Sequence, residues 1–357
     1  MAEKVLVGMS GGVDSSVSAL LMLQQGYKAD GATLRLFNNE DIGIDDNTRT
    51  CCSLDDVEDA RTVCYKLGMN HYVFNFGEQF KKQVIEKFAK SYELGETPNP
   101  CIDCNRYIKF SKMLERAKML DYDYIATGHY VQREVATDGR ILIKKAVDST
   151  KDQTYVLYVL TQDMLRHTLF PLGGLTKEQS RKIAEEHNLI NARKPDSQDI
   201  CFIKDGDYAG FLEKAMGITT PQGDFVYKDG TVLGKHKGII HYTIGQRKGL
   251  GISYKHPIFV LDKNPENNIV TLGENIDLFT NRLTADDLNW IAIDKPTSDI
   301  RVTAKTRYSQ KEATAIIHPV DENKVVVEFE EKQRAITKGQ AVVFYDGEYV
   351  VGGGTIR

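Results

Sequence analysis

The chain has 357 residues, 41% of them hydrophobic and 27% charged, a length that suggests two or three packed domains. No run approaches the roughly 20 apolar residues that span a bilayer, so a packed soluble protein is expected. The formal net charge of −4 confines any nucleic-acid surface to a local patch. Six cysteines and the lack of a basic and apolar leader point to reduced thiols and a cytoplasmic location.

In chain order, residues 1 to about 130 alternate strand-like and helix-like patterns, the mark of a parallel sheet with crossover helices. Val5-Leu6-Val7 feeds Gly8-Met9-Ser10-Gly11-Gly12, and a helical pattern opens at Val13, Val17, Leu20 and Leu21. Gly26 closes that turn, and Ala29–Phe37 reads as the second strand. Residues 38–50 form a polar, acidic loop. Ser53 is the expected N-cap of a helix that places Leu54, Val57, Ala60, Val63 and Leu67 on one face. Tyr72–Phe76 is the third strand and Glu78–Leu94 a helix. Gly95 to Pro100 reads as a loop delivering Cys101 and Cys104 to a helix that starts at Ile108. Tyr124–Thr127 is a fourth strand, ending at Gly128-His129. Ligands of such a sheet bind beyond the carboxyl ends of its strands, so these loops should share one crevice.

Val131–Glu134 and Arg140–Lys144 read as a hairpin across Asp138-Gly139. Thr176 opens a helix, and residues 191–198 read as polar and exposed. Past residue 206 short β-type runs replace helices, and 283–357 has the spacing of a small β-barrel. The expected fold is α/β: a doubly wound N-terminal parallel-sheet domain (1–205), a small, mostly β central domain (206–280) and a C-terminal β-barrel (281–357).

The Ser-Gly-Gly turn carries the strongest chemical signal. Adjacent glycines let the backbone approach a ligand, and the helix start offers N–H groups and a positive dipole end to an anion. Ser10, Ser15 and Ser16 add hydroxyls, and Asp14 adds a carboxylate for phosphate-bound Mg²⁺. Neither a Walker A loop nor a dinucleotide Gly-x-Gly-x-x-Gly is present. The pattern S-G-G-x-D-S resembles the pyrophosphate loop of the ATP-pyrophosphatase superfamily.

With Asn99-Pro100, Cys104-Asn105, Thr127-Gly128-His129-Tyr130, Lys151-Asp152-Gln153, Ser197-Gln198-Asp199, Cys201-Phe202 and Gly245–Leu250, the whole chain resembles the MnmA family, the bacterial tRNA-specific 2-thiouridylases. The resemblance implies ATP-dependent 2-thiolation of uridine 34 in tRNA, with Mg²⁺ accompanying the nucleotide. It implies ATP contacts at Gly8, Met9, Ser10, Gly11, Gly12, Val13, Asp14, Ser15, Ser16, Leu34 and Gly128. Contacts to tRNA are implied at Asn99, Pro100, Cys101, His129, Lys151, Asp152, Gln153, Arg307, Tyr308 and Gln340. Cys201 would carry a persulfide, received from a cysteine desulfurase or a persulfide-donating sulfurtransferase, and Cys104 would be its partner thiol. Arg106 and Lys109 lie near Cys104 in sequence and would favour its thiolate.

Many members of that family have Asp where this chain has Cys101. Three thiols at Cys101, Cys104 and Cys201 admit a [4Fe–4S] cluster. A zinc site lacks an obvious fourth ligand. A thioredoxin-like dithiol is the other reading of Cys101-x-x-Cys104, but the loop setting after Pro98-Asn99-Pro100 disfavours it. Cys64 reads as core packing, and Cys51 and Cys52 as structural. Residues 230–261 carry Lys235, Lys237, Arg247, Lys248 and Lys255 without an acidic residue, which suggests contact with phosphates. Another ATP-pyrophosphatase ligase and a non-catalytic RNA-binding protein are the competing readings.

Overall fold

The computed structural model describes residues 2–37, 54–195, 200–203 and 206–357. The 38–50 loop, Cys51, Cys52, the Ser53 cap and the Ser197-Gln198-Asp199 motif lie outside the described residues.

Val5, Leu6 and Val7 are wholly buried in β1 (Lys4–Gly8). Side chains alternate along a strand, so Val5 and Val7 face one way and Leu6 the other. The first two pack with Val13, Val17 and Met22 of the Val13–Gln24 helix and with Ala60 and Val63 of the Leu54–Lys66 helix. Leu6 packs with Phe110, Met113 and Ala117 from the helical run 100–119. Coverage of both faces explains why β1 reads as an unbroken apolar run.

The neighbours of β1 are β2 (Lys28–Arg35) and β4 (Tyr124–Ala126), and β3 (His71–Asn75) pairs with the outer side of β2. After a hairpin of β5 (Gln132–Val135) and β6 (Ile141–Lys144) comes β7 (Thr168–Leu169). The first sheet has the order β3-β2-β1-β4-β7 and is parallel throughout. Four of its strands follow the sequence pattern. The fifth, β7, is too short to leave a period.

Phe80, Val84, Phe88 and Tyr92 recur at helical spacing in the run 77–93 and are buried. They face a central unit of β8 (Gly223–Tyr227), β9 (Val232–His236), β10 (Phe259–Asn264) and β11 (Ile269–Gly273), ordered β10-β11-β8-β9.

The remaining strands are β12 (Phe279–Trp290), β13 (Ile300–Lys305), β14 (Ala313–Pro319), β15 (Val325–Arg334), β16 (Ala341–Asp346) and β17 (Tyr349–Ile356). They run β12-β15-β14-β13-β16-β17, and β12 pairs with β17 to close a six-stranded barrel. Alternate residues such as Val302, Ala304, Ala315, Ile317, Val325 and Val327 fill its interior. The β5–β6 hairpin joins this sheet, with Lys144 of β6 opposite Tyr349 of β17. Arg140 fastens the hairpin further by donating to the carbonyls of Ile291 and Ile293 and pairing with Asp294.

Candidate active site

The glycine loop leaves the carboxyl end of β1. Met9 donates its N–H to the Ala32 carbonyl at 2.8 Å and accepts from the Thr33 hydroxyl at 2.9 Å, which ties the loop to β2. Its side chain is core, so Met9 can offer a ligand only backbone. Gly11 has φ +72°, and a Cβ there would lie 2.5 Å from the Asp56 carbonyl oxygen. Glycine is therefore required twice over, by conformation and by space. A Cβ on Gly128 would press 2.9–3.0 Å against the backbone of Asp14 and Ser15, so the exit of β4 packs directly on the first helical turn. Gly12 caps that helix with no side chain of its own. The Ser15 and Ser16 hydroxyls each donate to the Gly12 carbonyl at 3.0 Å.

Two residues far along the chain hold the loop from behind. Asn191 is 3% exposed, and its amide nitrogen donates to the carbonyls of Gly11 and Gly12 and to the Ser16 hydroxyl. Lys194 donates to the Gly11 carbonyl and pairs with Asp56 at 2.6 Å and Asp59 at 2.7 Å. Burial opposes its charge, but these carboxylates outweigh that and hold its pKa above the ordinary lysine value. The expectation of an exposed polar segment at 191–198 is corrected at Asn191 and Ala192, both buried. Polar residues in that segment are turned inward because the loop carbonyls need donors. The Asp14 carboxylate accepts from Lys177 at 2.7 and 2.8 Å and from the Tyr130 hydroxyl at 2.8 Å. Leu34 is half-buried near the end of β2.

The cysteine pair is not in a loop. Helical structure begins at Pro100, with Asn99 as N-cap accepting the Cys101 N–H at 3.1 Å. Proline suits the first helical position because its missing N–H would be unpaired there anyway. Cys101 and Cys104 therefore sit one turn apart, Cys101 exposed and Cys104 only 7% exposed. The next residue, Asn105, is buried and donates to the Val156 carbonyl at 3.0 Å. Cys201 is half-buried and borders the same apolar cluster as Cys104. Phe202 anchors it, edge-on to Phe80 at 5.7 Å and Phe88 at 5.6 Å. Arg106 pairs with Asp287 of β12 at 2.6 Å, and Lys109 lies close enough to bear on His129. Among the described residues no three His, Cys, Asp or Glu side chains are gathered to hold a metal ion. Cys64 is a different kind of thiol, pushed up to about 12 by burial, with Asp30 adding to the shift. Its packing reading holds.

The third group faces the barrel. Tyr308 is 46% exposed and donates its hydroxyl to the Asp152 carbonyl at 3.0 Å. Burial raises its phenol pKa, and Asp152 and then Cys101 add to the shift. The Arg307 guanidinium is turned inward, donating to the Ala335 carbonyl at 2.7 Å and the Thr337 hydroxyl at 2.9 Å. Gln340 donates to the Thr97 carbonyl at 2.6 Å. Thr97, Thr243, Arg307, Tyr308 and Gln340 line a cavity of about 290 Å³. Lys151, Asp152 and Gln153 are half-buried, and the Gln153 side chain accepts the Tyr130 N–H. His129 is buried against Phe110 and bonded to Thr127 at 2.9 Å. Burial, with Lys109 next, lowers its pKa well below the usual value, so it is neutral. Lys235 in the basic stretch pairs with Asp224 at 2.7 Å.

Residues 3–205 match the family model described as a tRNA methyl transferase HUP domain. Residues 209–274 match its PRC-barrel domain, and 280–356 an aminomethyltransferase beta-barrel domain. The chain is 52% identical over 359 residues to the tRNA-specific 2-thiouridylase MnmA of Clostridioides difficile, covering 100% of this chain and 99% of that one. Against the enzyme of the same name from Acetivibrio thermocellus it is 51% identical over 356 residues, covering 99% of each. This chain belongs to the MnmA family. It is an enzyme of the tRNA sulfurtransferase class. A solved NMN synthetase from Francisella tularensis overlaps with a TM-score of 0.34 at 18% identity, over 61% of this chain and 74% of that one. An overlap so partial carries no argument.

In this MnmA member the site includes residues that sequence patterns do not single out. Lys177, Asn191 and Lys194 all act on the glycine loop from more than 160 residues away. A lysine directly after the Thr176 cap that is buried, as Lys177 is, would have been the one available signal.

Proposed function

We propose that the protein thiolates uridine 34 of tRNA at C2, using ATP and a cysteine persulfide. In this reading 1–205 is the catalytic domain, 206–280 contacts tRNA and 281–357 is the barrel that completes the substrate surface. The observation that carries it is the apolar cluster that contains Cys104 and is bordered by Cys201, two cysteines of the domain that also holds the glycine loop.

ATP is a substrate here. Asn191 and Lys194 tie back the Gly11 and Gly12 carbonyls, so phosphates at the helix start meet N–H groups and not carbonyl oxygens. Lys177 adds a cation beside Asp14, the one carboxylate of the first turn that would share a Mg²⁺ with the phosphates. The C2 oxygen of uridine attacks the α-phosphorus, pyrophosphate leaves, and the oxygen becomes part of a good leaving group. The terminal sulfur of the Cys201 persulfide then attacks C2 and AMP departs. Cys104 thiolate attacks the Cys201 sulfur, leaving the terminal sulfur on uridine and closing a Cys104–Cys201 disulfide. If Cys104 instead first releases hydrosulfide, the same disulfide results. The persulfide comes from a cysteine desulfurase or an intermediate sulfur carrier, and the compartment is the cytoplasm. No described helix is long and apolar enough to cross a membrane.

The test is nucleoside analysis of tRNA from cells lacking the protein. Loss of 2-thiouridine should be restored by the wild type and by neither Cys104→Ser nor Cys201→Ser. Undiminished 2-thiouridine in the deletion strain would refute the reading.

A further inference from the structure

The helix that begins at Pro100 changes what the two neighbouring cysteines can do. Residues three apart on a helix have Cβ atoms about 5–6 Å from each other. A disulfide needs roughly 3.5–4.5 Å, so the turn must tighten by about 1–2 Å. First turns of helices accommodate this by shifting toward 3₁₀ geometry. Cys101 is exposed, while Cys104 is buried in the apolar cluster with Cys201 at its border. An exposed thiol one turn before a buried one, at a helix start, is the arrangement of a dithiol that exchanges disulfides with other proteins.

We infer that Cys101 is the resolving thiol that clears the active-site disulfide after each sulfur transfer. The inference rests on the persulfide reading above, which ends every cycle with a Cys104–Cys201 bond. Cys101 thiolate attacks the Cys104 sulfur; the Cys104–Cys201 bond breaks, a Cys101–Cys104 bond forms, and Cys201 leaves as a thiolate. No electrons are gained or lost in that exchange. Cys201 is then ready to accept the next persulfide. The new disulfide lies at the surface, where a protein dithiol of the thioredoxin class reduces it and is itself oxidised. Without Cys101, that reductant must reach a bond between a buried and a half-buried sulfur.

The experiment runs wild-type protein and Cys101→Ser through repeated turnover with ATP, tRNA, a persulfide donor and limiting protein dithiol, followed by acid quench, alkylation and trypsin. Cys101 and Cys104 fall in one tryptic peptide, 91–106, and Cys201 in another. Wild type should accumulate the internal disulfide of the first peptide. Cys101→Ser should accumulate the cross-link between the two peptides, and its ratio of steady-state to first-turnover rate should drop at least about tenfold. Millimolar dithiothreitol should restore that ratio. A cross-link alone in wild type, or an undiminished ratio in Cys101→Ser, would overturn the inference. So would iron and sulfide in anaerobically purified wild type together with loss of the first turnover in Cys101→Ser. Retained thiolation by Cys104→Ser or Cys201→Ser would instead bring down the persulfide reading itself.

Discussion

The nucleotide end and the sulfur end of this site are built by opposite means. The glycine loop is nine consecutive residues, shaped by one positive φ, by close backbone contacts and by hydrogen bonds to its own carbonyls. The sulfur end joins two segments almost a hundred residues apart, held by apolar packing around Phe202. The contrast follows from the chemistry. A phosphate site needs fixed N–H directions, whereas sulfur transfer needs two thiols that approach and part.

Cysteine substitutions should separate the two ends most sharply. Cys201→Ser should abolish 2-thiouridine formation while tRNA-dependent pyrophosphate release continues; parallel loss of both would show that the ends are not separable. Phe202→Ala should come next, costing about 3–5 kcal/mol of stability as a cavity opens under Cys201. Thermal unfolding measures it, and a cost below about 1 kcal/mol would mean that the aromatic cluster does not hold the segment. Asn191→Ala should weaken the loop by about 1–3 kcal/mol, since the Gly11 and Gly12 carbonyls and the Ser16 hydroxyl each lose one of their donors. It should appear as a raised KM for ATP with persulfide loading of Cys201 unaffected, and an unchanged KM would make Asn191 a mere packing residue.

The smallest effect concerns the junction between domains. Lys263 reaches the Glu96 carbonyl at 3.4 Å and the Tyr92 ring, just before the cysteine helix. Burial lowers its pKa to about 8, with Asp262 and Glu96 only partly opposing that. Below pH 8 the buried charge weighs against the fold, because the unfolded chain binds that proton more tightly. The penalty fades as pH rises from about 8 toward the ordinary lysine value of 10.5. Lys263→Met should flatten this part of the pH dependence of Tm, and an identical slope in the variant would assign it to another group.

The same contrast decides what could be read from the sequence. The glycine loop is local, so residues 8–16 carried their own signal. Cys104 and Cys201 were found only through family motifs, because packing across a hundred residues leaves no period. Asn191, Lys194 and Lys177 were missed for the same reason. The start of the cysteine helix was misread at Asn99-Pro100, where the two prolines suggested a break. Asn followed by Pro is equally the signature of a cap and first helical residue. At Arg307, where the resemblance implies a contact to tRNA, the guanidinium is turned inward and donates to the Ala335 carbonyl, an arrangement with no local sequence signal.

The hairpin shared with the barrel has a consequence for how the molecule is made. Lys144 and its partner Tyr349 are about 200 residues apart. A ribosome adding roughly 5–20 residues per second reaches β17 about 10 to 40 s after it finishes the hairpin. Until then Ile141 and Ile143, buried in the finished protein, lack the Ile291, Tyr345 and Val350 side chains of their core cluster. The hairpin thus emerges with an open edge that β17 pairs with only when the C-terminal sheet is made. Deleting β17 would leave every residue of the glycine loop and both sulfur-transfer cysteines in place, yet the nascent domain would have no way to close.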